Sequence, residues 1–176
     1  SYLGLCNYFR ENIKDYAKLE EPLRKMVKTN KSEKLIWLQN ELDAFKKLKD
    51  EIYNMPLLFF IDDKLPIYLN TDACESGIGG YLYQVKEGKE IPIGFYSSKL
   101  RGSELQWNTY EKEAYAVYMS VCQFQYLLTD AKFTIKTDHK NLLYMNRNDS
   151  SNKVLRWKMF LQQFDFDLQH IPGKEN

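Results

Sequence analysis

The spacing of apolar positions divides the chain into a helical first part and a mixed second part. Before Pro56, apolar residues recur every three or four positions, which predicts two or three short amphipathic helices. From Pro56 onward the period changes to two, as at Ile67 and Leu69, which predicts strands. We therefore expect a small helical segment over residues 1–55 and a second domain over residues 56–176.

The second part predicts its strands and helices in a definite order. The segments "IYLN", "GIGGYLYQV" and "IPIGFYSS" predict a three-stranded meander, and helical spacing then returns from Asn108 to Leu128. A fourth strand, "AKFTIKT", a short helix over 141–145, a helix ending near Phe164 and a last strand, "FDFDLQHI", complete the pattern. This order predicts a mixed α/β fold in which helices flank a five-stranded mixed sheet.

Two of the predicted strands end in Thr-Asp, at Asp72 and at Asp138. The long crossover between them suits a parallel pair, and the carboxyl ends of parallel strands meet at one edge of a sheet, where such folds bind ligands. Glu113 directly precedes the apolar stripe of the crossover helix and should point towards the sheet, whereas Glu111 should face solvent. Converging carboxylates oppose one another's ionisation unless a cation lies between them, so these residues predict a magnesium site.

Composition excludes several classes of protein. Lys and Arg total 25 against 24 Asp and Glu, so the net charge of +1 neither requires nor excludes a polyanionic partner. Three cysteines without a CxxC pair, and only two histidines, indicate neither a disulfide framework nor a zinc site. Because there is no signal peptide and no apolar stretch of about 20 residues, we expect an intracellular, non-secreted protein without a membrane partner.

Four phrases of the sequence, in this order and at this spacing, resemble the ribonuclease H domain of gypsy-type LTR retrotransposon polyproteins: "YLNTDACESGIGGYLYQ", "PIGFYSSKLRGSELQWNTYEKEAYAV", "FTIKTDHKNLLYM" and "LRWKMFLQQFDFDLQHIPGKEN". The helical segment resembles the thumb that precedes this domain in reverse transcriptases. The resemblance implies that a polymerase palm and fingers lie upstream as partners within one polyprotein, in a cytoplasmic particle or the nucleus. Cys74, Trp107 and Tyr115 replace the family's Ser, Tyr and Leu, which are changes of packing.

The resemblance implies hydrolysis of the RNA strand of an RNA–DNA hybrid, with no small-molecule cofactor. Asp72, Glu113 and Asp138 match the family's metal-binding and catalytic acids, which hold two Mg²⁺ or Mn²⁺ ions about 3.5–4 Å apart. A fourth acid of the family, on a C-terminal helix, would follow Asn176, so we expect the 176-residue chain to be weakly active or inactive.

Several residues beside these acids are candidates for contact with the hybrid, which is selected by its shape and its 2′-hydroxyls rather than by its base sequence. Ser76 and Gly77 follow the first acid, Asn108 and Thr109 precede Glu113, and the lysines of the helical segment suit phosphates. His139 follows the third acid and is a candidate for hybrid contact or for proton transfer.

Each of these assignments has a structural alternative. Asp138 is equally suited to cap a helix near Lys140, Asn108 to cap the crossover helix, and His139 to stabilise a turn. His170 is expected to pack, and Trp37, like the other two tryptophans, to anchor the core.

Two other functions remain open from the sequence. A ribonuclease H-like tether or a host-captured adaptor would bind nucleic acid or protein without cutting, although such a protein needs no converging carboxylates. An integrase-like transferase is disfavoured because the thumb-like leader and the "EKE" phrase do not suit it.

Overall fold

A computed structural model describes residues 2–29, 37–140, 142 and 151–172. Its helices are α1 (Tyr2–Tyr8), α2 (Tyr16–Thr29), α3 (Gln39–Tyr53), α4 (Thr109–Gln123), α5 (Gln125–Leu128) and α6 (Asn152–Leu161), with 3-10 turns at Arg10–Asn12 and Gly102–Gln106. Its strands are β1 (Ile67–Ala73), β2 (Gly77–Lys86), β3 (Lys89–Lys99), β4 (Lys132–Thr137) and β5 (Asp165–His170). The helix expected over 141–145 lies outside the described residues, apart from residue 142. None of the helices described combines the length and the apolar character needed to cross a bilayer.

The five strands form one mixed sheet in the order β3-β2-β1-β4-β5. β2 pairs antiparallel with β1 and β3, whereas β4 pairs parallel with β1 and β5. The predicted parallel pair of Thr-Asp strands is confirmed, with Asn70 of β1 level with Lys136 of β4. The predicted fold class is confirmed as well, and Asp72 and Asp138 emerge at the same edge of the sheet.

One face of the sheet packs against α4 and α6 and forms the main core. Leu69 of β1 and Ile135 of β4 are fully buried there against Val117 of α4. The helix approaches β2 so closely that a Cβ added at Gly80 would overlap the side chain of Ser120. This close approach fixes the height of α4 above the sheet and therefore the position of Glu113.

The helical segment has a second core and docks on the opposite face of the sheet. Its apolar residues pack with one another, and Ser97 of β3 accepts two hydrogen bonds from it, through Oγ from the Ala17 N–H at 3.1 Å and through its carbonyl oxygen from Arg10 at 2.8 Å. The buried residues of the core within the helical segment are Cys6, Ile13, Tyr16, Leu23 and Leu48.

The division of the chain into two domains, over residues 1–55 and 56–176, stays a prediction.

The expectation that Trp37 anchors the core is wrong, because 42% of this residue is exposed. Its ring meets Phe45 edge to face, with 5.7 Å between the ring centroids. Trp157, by contrast, is 8% exposed and belongs to the main core. Trp37 lies two residues before α3, outside the apolar stripe of that helix.

Candidate metal centre

Three carboxylates converge at the edge of the sheet where β1 and β4 end. Asp72 is the penultimate residue of β1, Asp138 directly follows β4, and Glu113 lies in the second turn of α4. One carboxylate oxygen from each residue lies within 4.8 Å of the others. The convergence expected from the sequence is therefore present, whereas the roles of these residues as metal ligands and catalytic groups stay predictions. We call these three residues the carboxylate cluster.

The start of α4 sets the direction of Glu113. Asn108 caps this helix, because its side-chain Oδ1 accepts a hydrogen bond from the Glu111 N–H at 2.9 Å. Glu113 and the apolar residues that follow it then face the sheet, and Glu113 is only 4% exposed. The capping alternative for Asn108 is thus confirmed, and its contact with a hybrid stays a prediction.

Glu111 does not face solvent as the helical spacing predicted. Its Oε2 pairs with Lys153 Nζ at 3.0 Å, its Oε1 accepts a hydrogen bond from Ser151 Oγ at 3.0 Å, and its side chain is 13% exposed. Burial raises its pKa, but Lys153 and Ser151 outweigh burial, so the net shift lowers the pKa of Glu111. Glu111 therefore joins the start of α4 to the start of α6, and both partners come from the distant end of the chain.

The electrostatics of the carboxylate cluster favour a bound cation. Burial, reinforced by Asp72 and Asp138, raises the pKa of Glu113 to about 8. Burial and then Asp138 also raise the pKa of Asp72, against a lowering by the Ala73 N–H. Glu113 Oε2 is buried and has no hydrogen-bond partner among the described residues. A buried oxygen without a partner, beside two further carboxylates, fits a hard divalent metal ion.

The backbone that carries Asp138 is held by two side chains that sequence reasoning did not assign to the site. Thr137 Oγ1 accepts a hydrogen bond from the His139 N–H at 3.1 Å. His170 Nε2 lies 3.0 Å from the carbonyl oxygen of Asp138 and donates to it, because a carbonyl oxygen only accepts. The pairing of β4 with β5 places Thr137 opposite His170, so no local sequence pattern could have revealed this contact.

His139 was expected to serve in proton transfer, in hybrid contact or in the turn after β4. Its backbone N–H takes part in that turn, and its ring centroid lies 6.3 Å from that of Tyr110. Its ring Nε2 is buried without a hydrogen-bond partner among the residues described. These contacts support the structural role, and the functional roles of His139 stay predictions.

Ser76 and Gly77 lie beside the carboxylate cluster, at the turn into β2. The Ser76 carbonyl accepts a hydrogen bond from the Leu100 N–H at 3.0 Å, and the Gly77 carbonyl accepts one from the Cys74 N–H at 2.8 Å. Both residues line an open cavity of about 260 Å³ that also contains Asp72. Thr109 is the first residue of α4, and its contact with nucleic acid stays a prediction, as do those of Ser76 and Gly77.

The sequence has relatives among retrotransposon polyproteins. Residues 62–164 match the family described as "RNase H-like domain found in reverse transcriptase". The Tf2-3 and Tf2-4 transposon polyproteins of Schizosaccharomyces pombe are each 33% identical to this chain over 181 residues, covering 99% of it. The chain spans 13% of the length of these relatives.

The fold has counterparts among solved structures. The foamy viral protease-reverse transcriptase in complex with dsDNA has a TM-score of 0.77 at 16% identity, covering 97% of this chain and 37% of that protein. The same protein in complex with an RNA/DNA hybrid has a TM-score of 0.74 at 16% identity, covering 98% and 24%. At this level of identity the likeness shows the fold alone. The matched family and the polyprotein relatives establish that the chain belongs to the family of RNase H-like domains found in reverse transcriptases of retrotransposon polyproteins.

Proposed function

We propose that this domain hydrolyses the RNA strand of RNA–DNA hybrids internally, in a reaction that depends on divalent metal ions, during reverse transcription. The observation that carries the proposal is the carboxylate cluster, in which three acidic oxygens lie within 4.8 Å of one another. Holding three carboxylates together around a buried glutamate costs free energy that a bound cation would offset. A tether or adaptor that does not catalyse a reaction would not need three carboxylates held this close together.

Asp72, Glu113 and Asp138 are the residues that would hold the metal, which we propose to be two Mg²⁺ or Mn²⁺ ions. When bound, such ions stabilise charge on the phosphate that is cleaved and supply a water of lowered pKa as the nucleophile. Asp72 is exposed, Asp138 half-buried and Glu113 buried, so the cluster opens to solvent on the Asp72 side. Glu113 has to release its proton for the cluster to reach its full negative charge, since its pKa is about 8.

The proposed substrate suits the surroundings of the cluster. Ser76 and Gly77 line the same open cavity as Asp72, which supports contact with a nucleic-acid strand beside the cluster. The foamy viral relative in fold was solved with an RNA/DNA hybrid, which supports the same class of ligand here. We further propose that polymerase palm and fingers, upstream in the polyprotein, share this substrate.

A cleavage assay tests the proposal. The full-length protein that carries this chain is incubated with a hybrid labelled on its RNA strand, in Mg²⁺ or Mn²⁺ and separately in EDTA. We expect the wild type to cleave the RNA and EDTA to abolish this cleavage. Asp72→Asn should lower the cleavage rate roughly 100-fold or more, because it removes a group that stabilises the transition state. Asp63→Asn is the matched control, because Asp63 is an exposed aspartate in the turn before β1. Equal cutting by Asp72→Asn would refute the site, and hybrid binding without any cutting would favour the tether.

A further inference from the structure

We propose that Lys14 and Lys18 of the helical segment bind the sugar–phosphate backbone of the hybrid next to the carboxylate cluster, as positioning residues. This inference rests on the proposed function and deepens it. It makes the helical segment one wall of the substrate site.

The first observation is a shared cavity. The open cavity of about 260 Å³ beside Asp72 lies between the sheet and the helical segment. The sheet lines it with Asp72, Gly77 and Gly79. The charged residues with which the helical segment lines it are Lys14, Lys18, Asp15 and Glu21. Two ammonium groups and a carboxylate of the cluster therefore border the same space.

On the side of the sheet, the cavity is lined in part by Gly79, a residue without a side chain. Gly79 pairs with Asp72 across the β1–β2 ladder, so this side of the cavity leads directly to the cluster. A Cβ added at Gly79 would meet only the Tyr96 carbonyl oxygen, at 3.8 Å, so the space above this residue is free. An extended backbone can therefore approach the sheet here closely.

The charges in the cavity leave these two lysines available. Lys99 also lines it, but its Nζ is paired with Glu21 Oε1 at 2.8 Å. Lys14 and Lys18 are exposed, and neither has an ion-pair partner within 4.0 Å in the described part of the chain. Burial and Asp138 raise the pKa of Asp72, and Asp15 adds to this, whereas the Ala73 N–H and Lys14 act in the opposite direction.

The helical segment holds both lysines firmly. Ala17, which lies between them, donates its N–H to Ser97 Oγ at 3.1 Å, and the neighbouring Tyr16 is 1% exposed. The Glu21–Lys99 pair fixes the next turn of α2 to the end of β3. Lys18 lies in the first turn of α2, and Lys14 lies in the turn two residues before that helix. Because α2 is anchored on the sheet, ordering the two lysines on a ligand costs little beyond their own side-chain entropy.

Phosphate is the ligand chemistry that fits. Lysine acts on phosphate as a point charge, without the geometric demand of a guanidinium, and such contacts position a duplex without reading its sequence. The affinity for a duplex falls as salt rises, and each neutralised phosphate makes the slope of log affinity against log salt steeper by about 0.9. Two lysines therefore predict a measurable share of the salt dependence of hybrid binding.

The test compares two double variants of the full-length protein that carries this chain. Binding of a labelled hybrid is measured by anisotropy at four salt concentrations, with Ca²⁺ in place of Mg²⁺. For Lys14→Ala/Lys18→Ala we expect the affinity to fall about tenfold. We also expect the slope of log affinity against log salt to become shallower by about 1–2. The matched control is Lys47→Ala/Lys49→Ala, which removes the same charge from exposed positions of α3 away from the cavity and should change both values little. Equal effects of the two variants would overturn the inference.

A second measurement separates a local contact from general attraction. Hybrids in which one phosphate at a time is replaced by a neutral methylphosphonate are bound to the wild type and to Lys14→Ala/Lys18→Ala. We expect one or two positions near the cleavage site at which neutralisation weakens the wild type but not the variant. Uniform weakening of both proteins at every position would overturn the contact. Failure of the wild-type full-length protein to bind any hybrid would instead refute the proposed function.

Discussion

His170 on β5 donates a hydrogen bond to the carbonyl oxygen of Asp138, across 3.0 Å. The last described strand thus fixes the backbone that presents one carboxylate of the cluster. A residue of this kind acts on the metal through its neighbour, and the loss of such a supporting contact typically costs 10- to 100-fold, in round terms, in metal affinity or activity.

We therefore expect His170→Ala to weaken Mn²⁺ binding roughly tenfold while the fold is retained. Calorimetric titration of Mn²⁺ measures the affinity, and circular dichroism checks the fold. The neighbouring, exposed Gln169→Ala serves as the control and should bind Mn²⁺ like the wild type. Unchanged affinity in His170→Ala would show that Asp138 is positioned without this hydrogen bond.

The stability of the metal-free chain should depend on pH through Glu113. Its pKa in the folded chain is about 8, above its usual value of 4.5, so between these two values the folded chain binds more protons than the unfolded chain. Stability from this group is full below about 4.5 and is lost as the pH rises towards 8. Glu113→Gln removes this loss, and we expect it to stabilise the chain at pH 8 by on the order of 4 kcal/mol and by little at pH 4.5.

Urea unfolding in EDTA at a series of pH values measures this effect. Glu111→Gln, on the same helix, is a control of opposite sign. The pKa of Glu111 is lowered by Lys153 and Ser151 against burial, so its ionised form contributes stability that is present above its unfolded pKa and is lost at lower pH. We expect Glu111→Gln to destabilise the chain at pH 8. A pH profile of Glu113→Gln parallel to that of the wild type would contradict the raised pKa.

Metal ions should stabilise the chain through the carboxylate cluster. A ligand that binds only the folded state stabilises it by RT ln(1 + [L]/Kd), so Mn²⁺ at about 100 times its Kd adds roughly 2.7 kcal/mol. We expect the Tm measured by calorimetry to rise with Mn²⁺ in the wild type and to respond much less in Asp72→Asn. The Asp63→Asn variant should respond like the wild type, and an equal response of Asp72→Asn would place the metal elsewhere.

Gly80 and Gly79 form a matched pair for testing how α4 is positioned. Gly80→Ala would overlap the Ser120 side chain and push α4, with Glu113, away from the sheet. We expect a loss of about 1–3 kcal/mol in the free energy of unfolding, typical of overpacking, together with weaker Mn²⁺ binding. Gly79→Ala faces open space and should be tolerated in urea unfolding. Equal tolerance of both variants would mean that α4 shifts without cost.

The sequence alone predicted the order of strands and helices, the mixed sheet, and the meeting of Asp72, Glu113 and Asp138. These follow from local periodicity and from the rule that parallel strands present their carboxyl ends at one edge. Such information is carried by neighbouring residues, and it is therefore readable without coordinates.

Tertiary structure alone decided which partners distant residues find. Helical spacing predicted that Glu111 faces solvent, but in the structure Lys153 of α6 forms an ion pair with it. The sequence predicted only a packing role for His170, whereas the register of β4 with β5 places its ring within hydrogen-bond distance of the Asp138 carbonyl oxygen. The docking of α2 on β3 likewise sets Lys14 beside Asp72. Contacts of this kind depend on how separate elements pack, and periodicity along the chain does not encode which surface meets which.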